Sequence, residues 1–252
     1  MKRAVCFVLL LFACTTAWTQ NTSSYKKWKF LVEPYMIFPN MSGDLGLRNL
    51  PAVEVDASPS DIFSNLKFGG MLTLEAQSDK WTIASDFLYM NLEEDATPTT
   101  VINSGKGTAE QLMFELDGLY RFAPFLEAGI GGRINYLTSG LDVTRNVAGG
   151  GTESLSASVS QTWFDPVFIM RLTGDVNDKW LFGFRGDFGG FGVGSDFTWQ
   201  LEGDVGYRFS HLFHTSIGYR ILGMDYDKGT GEDRFRYDVN TFGTVIRFGF
   251  TF

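Results

Sequence analysis

Cysteine is nearly absent from this sequence of 252 residues, and both copies, Cys6 and Cys14, lie close to its start. If roughly the first twenty residues are removed as a secretion signal, the remaining chain carries no thiol. It then has no disulfide, no thiolate metal site and no cysteine nucleophile. The fold must therefore be held together by packing, ion pairing and hydrogen bonding.

Long apolar runs and an excess of basic residues are also missing. Residues 4–13 form an apolar stretch that has the length of a signal-peptide core and is too short to cross a membrane as a helix. The net charge is −8, and without Lys2 and Arg3 it becomes −10, since 19 basic residues then face 29 acidic ones. Because so acidic a chain is a poor ligand for phosphate backbones, we expect no nucleic-acid partner.

The start of the chain has the order of a secretion signal: a basic pair, an apolar core and then small residues. We place cleavage near Ala17-Trp18-Thr19, so that residues 1–20 form the signal peptide and residues 21–252 the mature domain. A lipoprotein is the alternative, because Leu11-Phe12-Ala13-Cys14 resembles the box that precedes an acylated cysteine. Phe12 fits that box poorly, which favours the first interpretation.

Aromatic residues and glycine are abundant, with 24 Phe, 9 Tyr, 6 Trp and 29 Gly. Aromatic side chains favour β-strands, and glycine suits tight turns and close backbone approach. Residues 196–209 alternate strictly, with apolar side chains at odd positions and mostly polar ones at even positions. A membrane barrel with this alternation has an ordinary mean hydropathy, here −0.03, because its apolar residues are diluted by lumen-facing ones.

Repetition of this alternation along the chain distinguishes a barrel from a soluble sandwich. In the other alternating segments the polar face is mixed in sign and rich in glycine, which suits an enclosed lumen. We predict an all-β fold, a closed antiparallel transmembrane β-barrel of about ten strands, with about eight as the alternative. The predicted strands are residues 28–38, 66–77, 80–92, 108–122, 125–141, 159–176, 179–189, 196–209, 212–225 and 235–252.

The connections between these strands alternate in length. Tight links such as Asn177-Asp178 alternate with longer ones, of which the longest is a first extracellular loop at residues 39–65. Short periplasmic turns and longer outer loops are typical of outer-membrane barrels, so we place both termini in the periplasm. Trp81 and Trp180 each follow an Asp-Lys turn and fit an inner aromatic girdle. The residues predicted to face lipid are Phe168, Phe182, Phe184, Phe197, Trp199, Val205 and Phe248.

The opposite, inward face collects ionisable side chains of both signs. The acids are Glu33, Glu75, Asp86, Glu115, Asp117, Glu127, Asp165, Asp175, Asp187, Glu202 and Asp204; the bases are Lys67, Arg121, Arg133, Arg171, Arg185, Arg208, Arg220 and Arg247. Paired carboxylates could serve acid–base catalysis, but charges enclosed in a narrow barrel must pair with one another. We therefore predict a structural network and expect no catalytic, cofactor-binding or metal site. Its members are Arg171, Arg185, Asp187, Glu202, Asp204, Arg208, Arg220 and Arg247.

Other polar features favour structural roles. His211 and His214, the two histidines, fall at a predicted periplasmic turn. Barrel proteases, deacylases and phospholipases use a histidine at the outer rim or on the lipid-facing side, so this position argues against those enzymes. The acidic residues of the last outer loop have no calcium-loop spacing. They are Asp225, Asp227, Glu232 and Asp233, and Asp196 is given the same interpretation. Ser58, followed by Pro59 and Asp61, predicts the start of a short helix.

Several segments resemble one family of Gram-negative outer-membrane β-barrel proteins that has no assigned activity. The most specific is the stretch Gly-Gly-Phe-Gly-Val-Gly-Ser-Asp-Phe-Thr-Trp-Gln at residues 189–200. Further similar segments are residues 33–35, 60–68, 163–166, 206–209, 218–220, 225–227 and 235–238, and the terminal residues 248–252 are similar to a barrel assembly signal. The resemblance spans nearly all of the mature chain and implies a barrel in the outer membrane, without implying an activity.

The function expected from sequence is that of an integral barrel of the cell outer membrane: a structural component or a narrow channel with no catalysis. The alternative is an adhesin or surface receptor that binds through its outer loops, and a lipid-modifying enzyme is a distant third. The expected partners are outer-membrane lipid and, during biogenesis, periplasmic chaperones and the barrel-assembly machinery. We expect a monomer without a cofactor.

Overall fold

The computed structural model describes residues 28–47, 52–96, 98, 102–147 and 151–252. The predicted signal peptide and Cys14 lie outside the described residues. The elements are β1 (Lys29–Leu47), β2 (Val53–Ala57), α1 (Pro59–Asn65), β3 (Leu66–Gln77), β4 (Trp81–Ala96), β5 (Ile102–Ala123), β6 (Leu126–Asn146), β7 (Thr152–Val176), β8 (Trp180–Gly190), β9 (Phe197–Arg208), β10 (Phe213–Lys228), a 3-10 turn (Gly231–Asp233) and β11 (Phe235–Thr251). None of the helices in these ranges is long and apolar enough to cross a membrane.

The strands form a closed antiparallel barrel. From β3 to β11 each strand pairs with its neighbour in sequence, β1 pairs with β3, and β1 closes the ring against β11. The remaining strand, β2, pairs only with the outer end of β1, so ten of the eleven strands build the wall. Both ends of the wall meet where the backbone N–H of Phe252 donates to the carbonyl of Phe30 at 2.8 Å. The predicted closed barrel of ten strands is confirmed.

The two faces of the wall divide as the alternation predicts. The predicted lipid-facing side chains lie on the outer surface, where Phe184 is 40% exposed and Phe168 51% exposed. Their neighbours in sequence point inward and are buried, as Val167 and Ile169 beside Phe168 and Thr198 beside Phe197 show. This apolar outer surface encircles the barrel, as a transmembrane β-barrel requires.

Both predicted girdle tryptophans have the same surroundings. Trp81 packs edge-on against Tyr120 with ring centroids 5.1 Å apart, and Trp180 packs edge-on against Tyr207 at 5.3 Å. Each tyrosine then contacts a phenylalanine two residues further along the chain. The repeated arrangement at the turn ends of two strand pairs matches an aromatic belt at one membrane interface.

The connections follow the predicted turn chemistry. Asn177 and Asp178 both have positive φ, 54° and 56°, as a two-residue hairpin turn with matching strand twist requires. Ser58 caps α1 through a capping box with Asp61. Because Ser58 donates hydrogen bonds to the Asp61 carboxylate, the pKa of that carboxyl lies below its usual value. This helix packs against β1 and β4, and its Ile62 side chain is buried.

The strands extend further at their outer ends than predicted. β5 begins at residue 102 and β7 at residue 152, whereas the prediction began them at 108 and 159. In this region the outward face of β7 consists of Ser and Thr, so the apolar alternation that marks a lipid-facing strand stops before the strand does. Residues 102–111, 137–146 and 152–162, with residues 90–96 of β4 paired to the first of them, therefore form a four-stranded sheet beyond the apolar surface. We call it the β5–β7 projection after its three longest strands.

Candidate functional site

The interior of the barrel changes character along its axis. On β10 the inward residues nearest the periplasmic end are polar, such as Ser216 and Arg220. Those further out are Leu222, Met224 and Tyr226, each no more than 6% exposed. The lumen therefore has a polar inner half and an apolar outer half, whereas the sequence predicted a polar lumen throughout.

The inner half contains a cavity of about 420 Å³ lined by charged side chains from around the ring. Arg171 on β7 reaches across it to form ion pairs with Glu75 on β3 and with Glu127, the latter at 2.5 Å. Arg247 on β11 contacts Glu202 at 2.6 Å and Glu33 at 3.3 Å. The cavity walls are thus fixed by arginines that join strands on different sides of the barrel.

A buried charge cluster lies above this cavity. Arg133, which is 0% exposed, donates to Glu115 at 2.5 Å, to Asp187 at 2.8 Å and to Thr198 at 3.0 Å. Arg185 contacts the same Glu115 and also Asp187, at 3.1 Å. Arg185 also lies 3.2 Å from a third buried carboxylate, Asp117. Two arginines therefore serve three carboxylates, so that each acid has a cationic partner.

A second buried cluster surrounds Arg220 on the opposite side of the lumen. Its guanidinium contacts Asp86 at 2.9 Å and donates to Gln200 at 2.7 Å and to the Tyr35 hydroxyl at 3.1 Å. Tyr35 in turn donates to Asp86 at 2.7 Å and lies beneath the Arg247 guanidinium, 4.5 Å from its ring centroid. Tyr35 and Gln200 were not predicted as site residues; their inward register on alternating strands is the signal that could have identified them.

The predicted network members divide into two groups. Arg171, Arg185, Asp187, Glu202, Arg220 and Arg247 take part in buried or half-buried ion pairs. Arg208 instead donates to the Asp178 carbonyl at the turn, 3.0 Å away, and Asp204 lines the cavity without a hydrogen-bonded partner among the described residues. Lys67, predicted to point inward, is exposed and pairs with Glu93 at 3.4 Å, because a register shift after Leu66 turns it outward.

An apolar layer fills the outer half of the lumen. Its members come from strands on opposite sides of the ring: Leu88, Met90, Met113, Trp163, Leu222, Met224, Tyr226, Phe235, Tyr237 and Val239. The Trp163 ring stacks on Tyr226 across the lumen with centroids 4.4 Å apart. No member is more than 6% exposed, so these side chains form a packed apolar layer above the charge clusters. Consecutive apolar residues in β4 and β10 were the sequence signal for it, since a strand with one polar face would not carry them.

A buried carboxylate joins two segments that the family resemblance had singled out separately. Asp165, which is 0% exposed, accepts hydrogen bonds from the Ser195 backbone at 2.6 Å and hydroxyl at 2.9 Å, from Asn135 at 2.9 Å and from Trp163 at 3.0 Å. A Cβ on Gly194 would lie 2.6 Å from an Asp165 oxygen. The glycines of residues 189–194 thus let the turn after β8 fold down onto the wall.

We expect Asp165→Asn to loosen this turn, because the amide presents a donor to groups that already donate. Leaving buried donors unpaired costs about 1–3 kcal/mol. The measurement is hydrogen exchange at the Ser195 amide, which should become faster. Asp175→Asn, at the exposed end of the same strand, is the control and should leave that exchange unchanged. Unaltered Ser195 exchange in Asp165→Asn would contradict the assignment of Asp165 as the anchor.

The remaining polar candidates lie at the two ends of the barrel. His214 lies 3.1 Å from Glu33, and both side chains line the cavity near the inner ends of the strands. In the last outer loop Asp227 binds Arg234 at 2.6 Å, and this hydrogen bond lowers the pKa of the Asp227 carboxyl below its usual value. Among the described residues no group of three or more His, Cys, Asp or Glu side chains is placed to hold a metal ion.

The fold is similar to that of solved outer-membrane barrels. The outer membrane protease OmpT from Escherichia coli is 8% identical over 93% of this chain and 99% of its own, with a TM-score of 0.53. Ail, the attachment invasion locus protein of Yersinia pestis, is 8% identical over 89% and 98%, at 0.35. The Pseudomonas putida toluene transporter TodX is 8% identical over 89% and 90%, at 0.33. No protein-family model and no curated protein sequence matches the chain.

The first of these likenesses corrects one prediction from the sequence. The conclusion that the chain is not an enzyme was wrong as an inference from its architecture, because a protease has the same fold. The position of the histidines excludes one arrangement of catalytic groups and does not exclude catalysis. At 8% identity the likeness shows the fold alone, a closed antiparallel transmembrane β-barrel of the outer-membrane type.

Proposed function

We propose that this chain is an integral barrel of the cell outer membrane whose lumen is closed to solutes and which acts through the parts that stand outside the membrane. The apolar layer is the observation that carries the proposal. Its members, none more than 6% exposed, fill the lumen above two buried charge clusters. Water and ions cross such a barrier poorly, since transfer of a charge into an apolar medium is very costly.

The long outer strands support the second half of the proposal. β5, β6 and β7 continue beyond the apolar outer surface, and the extended part of β7 is exposed along most of its length. Ordered strands in this position cannot contact lipid tails, and they present a regular surface at the cell exterior. A role in surface binding, with the barrel as its membrane anchor, is the use that this architecture favours.

A narrow channel is the second candidate, and the inner cavity favours it. The cavity of about 420 Å³ is lined by charged and polar side chains, which can hold water. The space beside the inward Gly183 is occupied by the Asp204 carboxylate. A conducting path would still have to cross the apolar layer. This candidate therefore requires that layer to move, whereas the closed barrel does not.

We expect the purified barrel to show no conductance on the scale of a general porin in planar bilayers. Arg185→Ala should also leave the barrel closed, because the apolar layer remains when one charge cluster is weakened. The double variant Trp163→Ala with Tyr226→Ala removes the stacked pair that crosses the lumen, and its conductance should rise. The measurement is single-channel recording. Porin-scale conductance of the unaltered barrel, or opening by Arg185→Ala alone, would contradict the proposal.

A further inference from the structure

The outer part of β7 is an open edge of the barrel sheet. Residues 152–162 pair with β6 on one side, whereas β8 reaches β7 only from Val167 onward. Along the second side of residues 152–162, the described part of the chain supplies no strand. The backbone N–H and C=O groups that point to this side are therefore free to pair with another extended chain.

This edge lacks the usual features that prevent strands from adding to it. Exposed edges are commonly protected by lysine, proline or a bulge. Residues 152–162 contain neither lysine nor proline, and their pairing with β6 continues without a register shift. Their one charged residue, Glu153, is held by Arg145 on the neighbouring strand at 2.7 Å. By contrast, the short strand β2 carries the acids Glu54 and Asp56.

The sequence of this edge is a palindrome of residue types centred on Ala157. Reading outward from the centre, the matched positions are Ser156 and Ser158, Leu155 and Val159, Ser154 and Ser160, Glu153 and Gln161, and Thr152 and Thr162. In an antiparallel pair of two identical strands these positions lie directly opposite each other. Hydroxyls then face hydroxyls, aliphatic side chains face each other, and each carboxylate faces a neutral amide.

We propose that this edge binds the same edge of a second copy of the chain, forming an antiparallel strand pair centred on Ala157. The contact is isologous and closes after two subunits, as two-fold symmetry requires. Backbone hydrogen bonds stabilise it, and the contact between Leu155 and Val159 adds apolar burial, since Leu155 is 49% exposed in one copy. This inference goes beyond the closed-barrel function and holds whether or not the lumen conducts. It replaces the monomer expected from sequence.

The symmetry also determines how the two barrels are oriented. The two-fold axis that relates paired antiparallel strands runs perpendicular to their sheet. Because β7 continues from the barrel wall into the projection without a shift in its pairing with β6, that axis lies in the plane of the membrane. The two barrels then point in opposite directions with their outer ends together. The pairing joins copies in two facing membranes.

Single cysteines test the register. Opposed Cα atoms in an antiparallel pair are about 4.5–5.5 Å apart, within the range of a disulfide. Ala157→Cys should therefore form a covalent dimer when an oxidant is added to the mature full-length barrel. Leu155→Cys is the matched control, because its two copies are offset by about 13 Å along the strands. Leu155→Cys mixed with Val159→Cys should cross-link again. Equal cross-linking of Ala157→Cys and Leu155→Cys alone would overturn the proposed pairing.

A charge pair at two exposed positions tests the orientation. In the proposed register Ser156 faces Ser158 of the second copy. Ser156→Lys with Ser158→Lys opposes like charges twice, whereas Ser156→Lys with Ser158→Glu opposes unlike charges. Phosphatidylcholine vesicles that contain the unaltered barrel or the Lys/Glu variant should cluster, as measured by light scattering, and the Lys/Lys vesicles should remain dispersed. Circular dichroism checks that both variants fold. Clustering of all three samples, or of none, would refute head-to-head pairing.

Discussion

Arg133→Met is expected to destabilise the barrel more than any other single substitution considered, by about 3–5 kcal/mol in the free energy of unfolding. Arg133 is 0% exposed, and its guanidinium contacts Glu115 and Asp187, which are also buried. Methionine fills a similar volume without the charge. The loss in the free energy of unfolding therefore reports the cost of leaving the carboxylates without a cation, and not the cost of a cavity. Arg185 also contacts both acids and Asp117, but one guanidinium would then serve three buried carboxylates.

Arg145→Met is the control on the same strand. Arg145 forms a comparable pair with Glu153 at 2.7 Å, but both side chains are about half exposed. An exposed pair of this kind contributes about 0–1 kcal/mol, because water solvates both partners when the pair is broken. Urea unfolding of the reconstituted barrel gives both values. Equal losses at the two sites would show that burial does not govern these pairs and would remove the basis for a structural charge cluster.

The wall of the barrel was predictable because period-two alternation assigns each residue of a strand to the lipid-facing or the lumen-facing side. Each strand that faces lipid must place its apolar side chains at alternate positions, as β8 does with Trp180, Phe182 and Phe184. The inward set follows from the same register, which is why Arg185 and Asp187 could be placed in the lumen. Their partners could not be predicted. Arg185 contacts Glu115, which lies three strands away in sequence order. Whether two such side chains meet across the lumen depends on how the ring of strands closes.

The outer half of the molecule was less predictable for two reasons. Some strands there extend beyond the membrane, and the lumen there is filled by apolar side chains. The part of β7 in the projection is serine-rich and has no apolar outward face, although it continues the strand. The apolar layer comes from strands that are apolar on both faces over a short distance, such as the segment of β10 that contains Leu222 and Met224. Alternation identifies a boundary between lipid and water. It does not identify strands that leave the membrane or a lumen that excludes water.

The contact between Asp165 and the turn after β8 could be recognised in sequence only as two separate motifs. Residues 163–166 and residues 189–200 both stood out by resemblance, but their contact needs the fold. Asp165 lies in β7 and Ser195 in the turn after β8, and the Asp165 carboxylate accepts both the backbone and the hydroxyl donors of that serine. The glycines between them remove the side chains that would keep the turn away from the wall. The glycine-rich pattern of residues 189–194 is thus explained by the contact between this turn and Asp165 on β7.

Phe184→Arg should cost about 2–4 kcal/mol, the range for a cation at the midplane on the lipid-facing side of a barrel. Phe184 lies midway along the outward row of β8, between Phe182 and Phe188, and is 40% exposed. Its side chain has no aqueous neighbour in a bilayer. An arginine there must extend toward a headgroup or draw water into the apolar region, and both responses cost free energy.

Phe209→Arg is the matched control, because it makes the same chemical change at the periplasmic turn. Phe209 is 62% exposed and belongs to the aromatic contacts around Trp180 and Tyr207, at the level where polar headgroups solvate a guanidinium. Its cost should fall to about 0–1 kcal/mol. Unfolding should be measured in phospholipid vesicles, since a micelle adapts its shape around a charge. If both substitutions cost the same in vesicles, Phe184 does not face the middle of a bilayer, and the outward register of β8 would have to be reassigned.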